Sequence, residues 1–104
     1  MKHAMTRLRL PEGGAARLYP FSLLPDFPWA VFVGSNPDMA CPDAVTRGPG
    51  ISLGFALPSG TAWPAWEGER LAAEALARGC VLVLAFADLA DALRCKARLE
   101  GDSA

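Results

Sequence analysis

The sequence predicts an α+β fold: a small mixed sheet of four or five strands with two helices mainly on one of its faces. Three observations carry this expectation. Cys80-Val81-Leu82-Val83-Leu84-Ala85-Phe86-Ala87 is an unbroken apolar run closed by Gly79 and Asp88. A run this short, rich in Val and Leu and bounded by a breaker and a cap residue, reads as a strand. Since it does not alternate, both of its faces need apolar cover, and it belongs inside the sheet. The stretch 51–87 reads strand, helix, strand, which permits a parallel crossover. Two alternating segments near the amino terminus supply a β-hairpin.

In that hairpin, Arg7-Leu8-Arg9-Leu10 and Ala16-Arg17-Leu18-Tyr19 flank the turn residues Pro11-Glu12-Gly13-Gly14. The register that pairs Leu10 with Ala16 and Leu8 with Leu18 sends all four to the core, leaving Arg7, Arg9, Arg17 and Tyr19 on an outer face. A slip of one residue would mix Arg with Leu on both faces. Residues 20–28 hold Pro20, Pro25 and Pro28 among Phe21, Leu23, Leu24 and Phe27, an apolar, proline-broken connection expected to lie over the core. Trp29-Ala30-Val31-Phe32-Val33 is a strand ended by Gly34, and Trp29 is expected in the core.

Residues 34–50 are rich in turn signals (Asn36-Pro37-Asp38, Cys41-Pro42-Asp43, Arg47-Gly48-Pro49-Gly50) and read as one long loop, functional or mobile. Ile51-Ser52-Leu53-Gly54-Phe55-Ala56-Leu57 is the next strand, with a bulge expected at Gly54. A helix over 64–78 has Pro64 at its start, Glu67 and Glu69 in its first turn, and Arg78 and Gly79 at its end. A second helix over 89–100 is expected to be capped by Asp88, with Asp91 in its first turn and Arg94, Lys96 and Arg98 toward its end. Its inward face is expected to carry Leu89, Ala92, Leu93 and either Cys95 or Leu99.

The 104 residues suit a single domain, 1–104, that can bury one core without staples. Net charge is −1, so no global basic field draws nucleic acid or an acidic membrane. Hydrophobic content of 52% is high for so small a chain and leads us to expect apolar surface buried against a partner. No segment reaches the roughly 18 apolar residues of a membrane span. Residues 1–7 lack a signal-like apolar stretch, and Cys41, Cys80 and Cys95 have no motif spacing. These features favour a reduced, cytoplasmic setting. The abundance of Ala, Arg, Gly and Pro resembles the usage of GC-rich bacterial genomes.

Candidate chemistry is sparse. His3 is the single histidine, so a histidine-based metal site, a Ser–His pair and a Cys–His pair all lack a member. No cofactor or metal is expected. Cys80 and Cys95 fall on a predicted core strand and helix, where cysteine acts as a small hydrophobe. Cys41 sits between Asp38 and Asp43, whose charges work against a reactive thiolate. The run Gly48-Pro49-Gly50-Ile51-Ser52-Leu53-Gly54 has neither the spacing nor the strand-first context of a phosphate loop. Most carboxylates are explained as helix-start or turn residues.

What remains points to binding. Arg9 and Arg17 facing one another would repel unless an anion or acidic partner intervenes, and Tyr19 beside them adds a stacking surface. Trp63 and Trp66 flank a helix start, and tryptophan is enriched at interface hot spots. The candidate partner-binding residues are therefore Arg7, Arg9, Arg17, Tyr19, Trp63 and Trp66. The leading expectation is a non-enzymatic module that binds a protein partner, such as a small inhibitor or accessory protein of a phage or mobile element (anti-CRISPR-like). Homodimerisation is expected if two helices share one sheet face and leave the other bare. Two alternatives have their own residues: a nucleic-acid accessory factor using Arg7, Arg9 and Arg17 with Arg94 and Arg98, and a small enzyme using the 34–50 loop. Nucleic acid is not favoured, because base readout draws on Asn and Gln, and the chain has one Asn and no Gln.

Overall fold

A computed structural model describes residues 10, 13–47, 52–60 and 68–100. Arg7, Arg9, Trp63 and Trp66 lie outside these residues, as do most of the expected first hairpin strand and the start of the 64–78 helix. The described chain runs β1 (Ala15–Pro20), β2 (Trp29–Gly34), a 3₁₀ turn (Pro37–Met39), α1 (Pro42–Arg47), β3 (Ser52–Leu57), α2 (Gly68–Ala77), β4 (Val81–Phe86) and α3 (Leu89–Leu99). The four strands form one mixed sheet in the order β1-β2-β4-β3. β2 pairs antiparallel with β1 and β4, and β3 runs parallel to β4. The α+β fold is thus present, with three helices instead of two.

The apolar run forms β4, trimmed by one residue at each end. It lies between β2 and β3, and all six of its residues are buried. Register explains why it needs apolar side chains on both faces. Val31 and Val33 stand opposite Leu84 and Leu82, and Leu57 stands opposite Phe86; these share the first sheet face with Ala16. Leu76 of α2 and Ala92, Cys95 and Leu99 of α3 cover that face. Leu18 and Trp29 are only partly buried against it. The two predicted helices do share a face.

Gly79 ends α2 in a left-handed conformation (φ +83°). Its N–H donates to the Leu76 carbonyl at 3.0 Å and the Cys80 N–H to the Ala75 carbonyl at 2.9 Å. This double closure satisfies carbonyls that the helix end would otherwise leave open.

The opposite face carries Ala30 and Phe32 of β2 with Val81 and Val83 of β4. Its cover comes from the segment expected to be a long loop. Met39, Cys41, Ala44 and Val45, from the 3₁₀ turn and α1, pack on it together with Phe21. Pro42 and Asp43 are helix-start residues as well as turn residues, which is how Cys41-Pro42-Asp43 begins α1. This face was expected to need cover from the 20–28 connection or from another chain; residues 39–45, with Phe21, supply part of it.

Four further expectations are corrected. There is no bulge at Gly54: β3 and β4 pair without interruption from Ser52↔Val81 to Leu57↔Phe86. Leu89 and Leu93 face outward, 39% and 49% exposed, because the sheet takes the Ala92–Cys95–Leu99 stripe of α3 instead. Asp88 stands in the cap position with extended backbone, yet its side chain makes no capping bond. Only Phe21 of the 20–28 connection reaches the core clusters; Leu23 is 79% exposed.

Candidate functional site

The second sheet face holds an open cleft of about 370 Å³. Its floor is the sheet itself: Phe32 of β2, Val83 of β4, and Gly54 and Ser52 of β3. Phe32 and Val83 stand opposite each other in the ladder, and Val83 is in turn opposite Gly54. Three adjacent strands thus present one row of apolar or absent side chains. One wall is Pro42, Val45 and Thr46 of α1, and the other is the segment from Pro20 to Leu23.

Each wall is held by backbone hydrogen bonds. The Phe21 N–H donates to the Pro28 carbonyl at 2.8 Å, closing the 21–28 connection, and a tighter turn inside it has Phe27 N–H on the Leu24 carbonyl at 2.9 Å. Across the cleft, the Met39 and Ala40 N–H groups donate to the Asn36 and Pro37 carbonyls. The 3₁₀ turn then presses against Gly34, where an added Cβ would lie 2.5 Å from the Met39 Cβ and 2.7 Å from its carbonyl carbon. Only a residue with no side chain permits that approach.

Aromatic rings line the Phe21 side of the floor. The Phe32 ring meets Tyr19 edge-to-face at 5.5 Å between centroids, and Phe21 at 6.3 Å. Tyr19 was expected on an outer face beside arginines. It is on the predicted face, but that face is packed, and Tyr19 supports Phe32.

Arg17 is exposed on β1, opposite Phe32 in the β1–β2 register. It also borders a separate, more polar depression of about 420 Å³ with Leu10, Gly14, Lys96 and Glu100. There Lys96 Nζ is already paired with Glu100, at 2.9 and 3.1 Å from its two carboxylate oxygens. Arg94 pairs with the Asp91 carboxylate. Of the arginine face proposed for nucleic acid, Arg17 is exposed, Arg94 is engaged, and Arg7 and Arg9 lie outside the described residues.

The small-enzyme alternative used the 34–50 segment, which forms the 3₁₀ turn and α1. Cys41 packs against the second-face cluster and its Sγ donates to the Asp38 carbonyl at 3.5 Å. Asp38 and Asp43 are exposed, in the 3₁₀ turn and the first turn of α1. Cys95 is buried against the first face, and desolvation pushes its thiol up to about 12, with Arg98 pulling weakly the other way. No group of three or more metal-ligating side chains occurs among the described residues.

The cleft's floor and walls contain no ionisable side chain among the described residues. The described lining is apolar or hydroxyl-bearing and can desolvate an apolar group. Phe21, Phe32, Val45, Gly54 and Val83 were not among the residues expected to bind. The available signal was Gly54 in mid-strand, together with Pro42-Asp43 as a helix start that would roof the sheet. No helix among the described residues is long and apolar enough to cross a membrane. No protein-family model, curated protein or solved structure matches the chain.

Proposed function

We propose that this chain is a non-enzymatic protein-binding module that engages its partner through the second sheet face. In biological terms it would be a small inhibitor or accessory protein of a phage or mobile element, a reading supported by its size of 104 residues and its sparse candidate chemistry. The observation that supports this reading is the open apolar cleft with Leu23, 79% exposed, on its rim. A large exposed apolar side chain beside an unfilled apolar depression is the composition of an interface core before docking.

The test is crosslinking with a photoreactive residue at position 23, in the cells that make the protein, followed by mass measurement of the adduct. One discrete adduct is expected, and the same partner should copurify with the wild type in fixed stoichiometry. Leu23→Asp should lose the partner, whereas Arg78→Glu, at the end of α2, should keep it. An adduct at twice the chain mass would identify the partner as a second copy. Equal copurification with Leu23→Asp, or a monomer that recovers nothing, would remove the cleft as a docking face.

A further inference from the structure

We draw no further inference here: the strongest candidate, the outward Leu89–Leu93 stripe of α3, is an exposed apolar helix face with nothing in the structure to show what covers it.

Discussion

The Oδ2 of Asp91 accepts the backbone N–H of Gly60 at 3.2 Å, joining the turn after β3 to the first turn of α3 across 31 residues of chain. Gly60 is in the left-handed region (φ +82°), so the turn directs its N–H in a way few other residues would allow. Asp91 is 8% exposed, the one buried charged residue among those described, and its other oxygen accepts from Arg94. Asp91 therefore serves as a tie between elements, beyond any interaction with the helix dipole.

Asp91→Ala should lower stability by about 1.5–3 kcal/mol, the range for a hydrogen bond to a charged group. Arg94→Ala should cost under about 1 kcal/mol, since the Arg94 side chain is 70% exposed and solvent screens the pair. Asp91→Asn keeps an acceptor for Gly60 and should fall between them. Urea midpoints of the three variants check this order; equal losses for Asp91→Ala and Arg94→Ala would place the whole effect in the ion pair.

The sheet interior was legible because β4 is apolar on every residue, and only a central strand needs that. The end of α2 was legible because Gly79 follows a helical pattern directly. α1 was not: six residues are too few to show a 3.6-residue period, and its opening Pro42-Asp43 signals a turn as readily as a helix. On α3 the sequence offers two apolar stripes, Leu89–Leu93 and Ala92–Cys95–Leu99; both were expected to contribute to the inward face, and only the second does. The choice between them depends on where the sheet lies and on the Asp91–Gly60 bond, neither of which is local. The candidate site was the least legible part, since the cleft is assembled from side chains on five separate segments.

Gly34→Ala should open the second face. The new Cβ would lie within 2.5–2.7 Å of the Met39 Cβ and carbonyl carbon, and the latter is backbone that cannot rotate away. Overpacking of this kind costs about 1–3 kcal/mol. Beyond the lowered melting temperature, the expected signature is local. The 37–47 cover should lift, and Cys41, half-buried beneath it, should react faster with a thiol reagent while Cys95 stays protected. Unchanged Cys41 kinetics would mean that the strain is relieved elsewhere.

Cys95 should make stability fall at alkaline pH. Its folded thiol holds its proton until about 12, whereas an unperturbed thiol loses it near 9.0, so burial favours the native state's proton and disfavours its thiolate. The associated stability is fully present below about 9 and is lost progressively as pH rises from 9 toward 12. The steepest slope from one such group is about 1.4 kcal/mol per pH unit. Cys95→Ala should show a shallower alkaline decline than the wild type in denaturant titrations between pH 9 and 11. Parallel declines would assign the loss to other groups.

Two glycine substitutions should move stability in opposite directions. At Gly79 the backbone is left-handed and the space around it is open, so Gly79→Ala meets no clash and loses only by conformation, about 1–2 kcal/mol. At Gly54 the backbone is ordinary and an added methyl has room, so Gly54→Ala should gain about 0.4–1 kcal/mol by restricting the unfolded chain. Guanidinium midpoints for the two variants separate these cases. A stabilised Gly54→Ala would show that the added methyl has room at this position in β3. A loss of more than about 1 kcal/mol would instead give Gly54 a structural role in β3.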